Sequence, residues 1–281
     1  MTAPTSYKIA AFTRLSRPVN VLIAFLTIVV AAQLAGGLIP LQNVIFAALS
    51  ASLITIGANV INDYYDITID RINKPHRPLA AGEISAHEAL LYFGVVYLLA
   101  WMLAILISPA MFLIAFVFSL LLYLYSYRLK RTVLWGNLAV SLTTAAAFIY
   151  GGMSVNNFRA MLFPAGFAFF FHLGREILKD MQDVVGDRQG GALTFPVKHG
   201  FQAAIKLVLL DFILLIILTI IPYILDVYSI KYFITVLFGI YPVLFYVLFK
   251  AWKNPGAARL GMLSNLLKAD MVIGLLAIYV S

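Results

Sequence analysis

Of the 281 residues, 63% are hydrophobic and only 11% charged, with a mean hydropathy of +0.95; that composition excludes a soluble globular chain and points to the bilayer. The net charge of +8 arises from 20 Lys and Arg against 12 Asp and Glu, but the basic residues are scattered over short connections with no long basic arm, so no nucleic-acid partner is expected. The absence of cysteine excludes disulfides and thiol catalysis.

A hydrocarbon core about 30 Å thick takes roughly 20 apolar residues per crossing helix. Nine such runs follow one another, over residues 19–35, 42–61, 89–107, 110–125, 134–152, 161–178, 201–225, 232–249 and 262–280. They are continuously apolar, whereas strands of a membrane barrel would alternate over segments of about ten, so the expectation is an all-α, polytopic protein. The first run is long and lacks a small-residue cleavage site, and is read as a span, not a signal peptide. Breaks fall at Gly36, Gly37 and Pro40, at Ser108 and Pro109, at Asn156 and Asn157, and around Asn254, Pro255 and Gly256. One transmembrane domain over residues 1–281 is predicted.

With the N-terminus inside, Lys8, Arg14, Arg17, Arg71, Lys74, Arg77, Arg128, Lys130, Arg131 and the later basic clusters all fall on cytoplasmic connections. Only Arg159 and Lys231 fall outside, leaving 18 of the 20 Lys and Arg on one side (20 less 2). Nine spans then place the C-terminus outside, in the plasma membrane.

Two connections are long, residues 62–88 and 179–200, and both are cytoplasmic on this reading. Seven of the 12 acidic residues sit at their helix-to-loop transitions: Asp63, Asp66, Asp70, Glu176, Asp180, Asp183 and Asp187. At 100° per residue, Asn59, Asn62, Asp63, Asp66 and Asp70 project within an arc of about 100°. The second four fall within about 60° if the helix persists past Gly186. Carboxylates crowded near a membrane need cations, protons or a wet cavity. All-oxygen ligand sets suit hard divalent ions, and Mg²⁺ takes one or two carboxylates, keeps several waters and completes its shell with phosphate oxygens, which implies a diphosphate substrate. Solvated helix ends are the plainer alternative. A proton or cation pathway, as in a secondary transporter, is another, but it calls for acids near mid-bilayer, internal repeats and broken helices.

Four blocks carry a family resemblance: N-D-Y-Y-D-I-T-I-D at 62–70, H-R-P-L-A-A-G-E-I-S at 76–85, Y-S-Y-R-L-K-R followed by G-N at 125–137, and K-D-M-Q-D-V-V-G-D at 179–187. In this order they resemble the UbiA superfamily of intramembrane prenyltransferases. The resemblance implies nine transmembrane helices around a central cavity, with the acidic motifs at its cytoplasmic mouth and Mg²⁺, two ions, holding an isoprenyl diphosphate donor. It selects Asn62, Asp66, Asp70, Asp183 and Asp187 as metal-proximal, with Asp63 and Asp180 as second choices. It further implies a phosphate-capping loop with Arg77, a second phosphate-binding cation at Lys130 with Tyr125 or Tyr127 nearby, and a diphosphate contact from Arg17. The alternative for Arg128, Lys130 and Arg131 is ordinary positive-inside anchoring.

The run from Arg175 to Asp187, continuing to G-G-A-L-T-F-P, is similar to the branch of the family that prenylates geranylgeranylglyceryl phosphate in ether-lipid synthesis, although Gln182 and the pair Phe195, Pro196 depart from its usual pattern. A lipophilic acceptor in contact with membrane lipids is expected. The alternatives are aromatic or chlorin acceptors: 4-hydroxybenzoate, dihydroxynaphthoate, homogentisate or a chlorophyllide. Glu176 is a candidate general base, or else an ion-pair partner of Arg175 or Lys179. His76, His87, His172 and His199 share no metal-ligand spacing. Asp211 and Asp270 are expected to pair with Lys206 and Lys268.

Overall fold

A computed structural model describes residues 5–253 and 256–281. Among the described residues the elements are helical and no strand occurs. In chain order they are α1 (Thr5–Ser16), α2 (Pro18–Leu34), α3 (Leu41–Tyr65), α4 (Ile67–Asn73), α5 (Ala86–Ile107), α6 (Pro109–Tyr127), α7 (Trp135–Ser154), α8 (Leu162–Gln189), α9 (Phe195–His199), α10 (Phe201–Ile224), α11 (Ile230–Thr235), α12 (Tyr241–Lys253) and α13 (Ala257–Tyr279). Seven stretches are long and apolar enough to cross a membrane, and an eighth is formed if α1 and α2, bent by 50° to one another, count as one span. The predicted run 134–152 is helical as α7 but lies outside that set, because Asn137, Ser141, Thr143, Thr144 and Ser154 dilute its hydropathy.

Helix ends follow the breakers. Ser108 caps α6 through the Met111 N–H (3.2 Å), with Pro109 at the first helical position. Ser85 and Glu88 form a reciprocal capping box at the start of α5. Asn254 and Pro255, where a break is expected, lie outside the described residues.

The chain divides into two compact units: one runs to Arg128 and includes Ala146–Met161, and the other comprises Leu129–Ala145 and Leu162–Ser281. In the first, α3 packs against α1, α2, α5 and α6. Small residues make this close packing possible: a Cβ on Gly57 would fall 2.2 Å from the Tyr97 ring. Ser50 donates to the Ala100 carbonyl (2.9 Å) and accepts from the Tyr150 hydroxyl (3.1 Å), so the hydroxyls at this helix contact are satisfied. In the second unit α8 packs on α10 and α13, with Phe212, Leu263 and Leu267 fully buried. Leu98 and Leu106 on α5 and Phe238 near α12 remain exposed, which suits contact with lipid tails and not with water.

Two departures from straight spans occur. A π turn, Val236–Ile240, joins α11 to α12 inside the predicted run 232–249. Before the first predicted span, α1 adds a helix whose basic residues pair with acids, Lys8 with Glu88 and Arg14 with Glu83, and Arg17, immediately after it, pairs with Asp63. These ion pairs dock α1 and the elbow that follows it onto α3, α5 and the loop between them.

Candidate active site

The first acidic motif lies in the first unit. α3 ends at Tyr65, and Asp66 (φ −100°, ψ 3°) interrupts the helix before α4. The interruption is shallow: the Asp66 N–H still reaches the Asn62 carbonyl (3.1 Å), and the Asp66 carbonyl accepts from the Asp70 N–H (2.8 Å). The side chains are nevertheless not equivalent. Asp63 and Asp70 are buried, whereas Asn62 and Asp66 are half-buried. Arg77 Nη1 donates to Asp63 Oδ1 (3.0 Å) and to Asp70 Oδ2 (2.6 Å), and Arg17 Nη2 donates to the same Asp63 oxygen. The structure therefore gathers Asp63, Asp70, Arg17 and Arg77. The loop carrying Arg77 is fixed by Leu79 and Ile84, buried with Ala11, Leu15, Val60 and Ala89, and by the Glu83 N–H on the Pro78 carbonyl (2.9 Å).

The second motif lies in the second unit. α8 persists through Gly186 to Gln189, so Glu176, Asp180, Asp183 and Asp187 stack on one face as the continuous-helix expectation requires. Asp180 accepts from Asn137 Nδ2 (2.7 Å), Asp187 accepts from the Thr194 hydroxyl (3.1 Å), and Asp183 is exposed. Glu176 is buried between Arg175 (2.9 Å) and Lys179 (3.5 Å), the ion-pair alternative weighed for it. Lys130 is half-buried in the turn Leu129–Arg131. Gly136 admits that turn against the start of α7, since a Cβ there would sit 2.9 Å from the Leu129 carbonyl oxygen.

Tyr125 and Tyr127 lie on α6, in the first unit. Tyr127 joins an aromatic group with Tyr123 and Tyr65, ring centroids 6.3 and 5.4 Å away, and the Tyr65 and Tyr123 hydroxyls share a 2.8 Å hydrogen bond. Asn137, Thr194 and Tyr65 escaped the sequence reading as site residues, although each stands inside or beside a motif quoted for other positions.

The pairing expected for Asp211 and Asp270 is corrected. Both are buried with neither carboxyl oxygen hydrogen-bonded. Lys206 and Lys268, five and two residues earlier, project about 140° and 160° away on their helices, out of reach.

Among the described residues no three Asp, Glu or His side chains converge into a closed metal cage. Mg²⁺ takes few carboxylates and fills its shell with water and phosphate oxygens. Asp66, Asp70, Asp183 and Asp187 offer hard oxygen donors of that kind.

The profile of the UbiA prenyltransferase family matches residues 23–267. Similar curated proteins include the digeranylgeranylglyceryl phosphate synthases of Methanosphaera stadtmanae, 32% identical over 92% of this chain and 93% of that one, and of Methanopyrus kandleri, 33% identical over 96% and 98%. A solved structure of digeranylgeranylglyceryl phosphate synthase superposes with a TM-score of 0.86 at 29% identity, covering 96% of this chain and 97% of that one. The fold is also that of a UbiA homologue from Archaeoglobus fulgidus bound to GPP and Mg²⁺, with a TM-score of 0.67 at 21% identity over 94% and 99% of the two chains. Both acidic motifs, the arginine loop and the apolar helices thus stand in a chain that belongs to the UbiA prenyltransferase family of integral membrane enzymes.

Proposed function

We propose that this enzyme transfers a geranylgeranyl group from its diphosphate to a hydroxyl of geranylgeranylglyceryl phosphate. The observation that carries the acceptor is identity of 32–33% over more than nine-tenths of the chain to enzymes named for that reaction. The allylic C–O bond of the donor breaks with both electrons leaving on the diphosphate. The acceptor hydroxyl oxygen forms the new ether bond, and its proton passes to the departing diphosphate or to solvent. Mg²⁺, two ions, would supply the positive charge that stabilises the leaving group.

Asp66 and Asp70, with Asn62, and Asp183 and Asp187 serve as the oxygen ligands, both motifs acting in one catalytic domain. Arg77, Arg17 and Lys130 donate charge-assisted hydrogen bonds to diphosphate oxygens, with Tyr125 and Tyr127 beside the prenyl donor. Asp180, held by Asn137, and Glu176, held by Arg175 and Lys179, fix the α8 stripe. Apolar helices exclude water while the allylic centre is electron-deficient. The motifs face the cytoplasm in a nine-span topology.

The test supplies detergent-solubilised protein with geranylgeranyl diphosphate and, in parallel, geranylgeranylglyceryl phosphate, 4-hydroxybenzoate, dihydroxynaphthoate, homogentisate or a chlorophyllide, and reads pyrophosphate release and product mass. Ether product with the glycerophosphate alone, abolished by EDTA and restored by Mg²⁺, is expected. Asp66→Ala and Asp183→Ala should each lower kcat/KM by roughly 100-fold or more. Activity that survives chelation, or product only with an aromatic acceptor, overturns the assignment.

A further inference from the structure

We propose that Asp63 is a positioning residue, not a metal ligand: its carboxylate anchors Arg17 and Arg77 through one oxygen and presents both guanidiniums to the diphosphate. The inference deepens the functional reading above and rests on it. The geometry is specific to this acid. Asp63 Oδ1 accepts from Arg17 Nη2 and from Arg77 Nη1, whereas the Asp70 carboxylate accepts from Arg77 on Oδ2. The Asp63 side chain is 3% exposed, while those of Arg17 and Arg77 are 31% and 19% exposed. The acid is thus the buried end of the group, and the cations are its accessible end.

What argues against coordination by Asp63 is its double occupancy, since its Oδ1 accepts from two guanidiniums, whereas Asp70, also buried, accepts from Arg77 alone. An ion that keeps several waters needs an approachable lone pair, and this carboxylate lies beneath two guanidiniums. It suits anchoring instead. Each guanidinium has five N–H donors in a rigid fork, so bonds to Asp63 and Asp70 leave donors for phosphate oxygens. The charges balance as well: two arginines face Asp63 and Asp70, and recruitment of Asp70 to a metal would leave two cations against one anion, a net positive charge aimed at the diphosphate.

The backbone at Arg17 is held from the same helix. Arg17 adopts a left-handed conformation (φ 54°) at the elbow between α1 and α2, immediately before Pro18, where an α-region residue is disfavoured. A non-glycine residue is strained there and persists where its surroundings over-determine it. Asn59, one turn before Asp63 on α3, donates to the Ser16 carbonyl (3.0 Å), and Asp63 takes the Arg17 side chain. One helix face of α3 therefore sets both the elbow and the guanidinium.

The experiment compares wild type with Asp63→Asn and Asp66→Asn in the full detergent-solubilised chain. Mn²⁺ binding is read by EPR, inorganic pyrophosphate binding by calorimetry with and without metal, and donor KM and kcat separately. Asp63→Asn should weaken pyrophosphate binding and raise donor KM roughly tenfold or more, with kcat at saturation changed less and Mn²⁺ binding unchanged; Asp66→Asn should lose Mn²⁺. Loss of Mn²⁺ in Asp63→Asn overturns the proposal, as does unchanged pyrophosphate affinity. If Asp66→Asn retains Mn²⁺, the metal assignment fails, and the metal-free pyrophosphate arm still decides the role of Asp63. Should Asp63→Asn fail to fold, Arg17→Gln and Arg77→Gln are read in the same way: each should lose pyrophosphate affinity and keep Mn²⁺, and retention of full pyrophosphate affinity by both overturns the proposal.

Discussion

Asn137 shows how a single neutral side chain holds an acid in register. Its amide donates to Asp180 (2.7 Å) and is itself buried. Asn137→Ala removes the amide that donates to Asp180 and leaves that carboxylate short of a partner, at a cost of about 1–3 kcal/mol. A lower Tm and a slower initial rate are expected together, measured by thermal unfolding in detergent and pyrophosphate release; equal values for variant and wild type would remove Asn137 from the machinery. This pair could not be read from the sequence, because 43 residues separate its members and no local period links them. The same holds for Arg17 and Asp63, 46 residues apart. What was legible was residue chemistry on one helix: the in-phase stripe from Glu176 to Asp187 needs only 3.6-residue periodicity and an uninterrupted α8.

Elements were legible where hydropathy alone decides them. α3, α5, α6, α10 and α13 coincide closely with predicted apolar runs, since backbone groups in lipid must bond within the helix. Bends were not legible, because they are set by packing and by charges on other elements. The elbow at Arg17, the break at Asp66 and the π turn Val236–Ile240 all lie within or beside sequences that read as continuous helix. Close approaches are similarly hidden. Gly136→Ala would place a Cβ 2.9 Å from a backbone oxygen and 3.0 Å from the Lys130 Cα, atoms that yield only by moving the turn. A cost of about 1–3 kcal/mol is expected. Because the displaced turn carries Lys130, donor KM should rise as well. Unfolding and KM measured on the one variant separate a purely structural effect, which would lower Tm and leave KM in place.

At the scale of the whole molecule, the number of crossings fixes which termini and loops share a compartment, and α7 is the helix on which that number turns. Its hydropathy is low for a span, yet its hydroxyls are satisfied within the helix: Ser141 donates to the Asn137 carbonyl (2.7 Å), Thr143 to Ala139 (2.7 Å) and Thr144 to Val140 (3.0 Å). A satisfied hydroxyl loses most of its burial cost, so 20 residues without a charge can cross the hydrocarbon layer. Crossing by α7 would keep the basic connections on one side, as the positive-inside expectation has them. The absence of native cysteine makes the test direct. In right-side-out vesicles a membrane-impermeant maleimide should label the exposed positions in Val227→Cys and Ser281→Cys, and should reach His199→Cys only after permeabilisation. If α7 does not cross, every later loop changes sides and the pattern inverts: His199→Cys labels at once, while Val227→Cys and Ser281→Cys are protected.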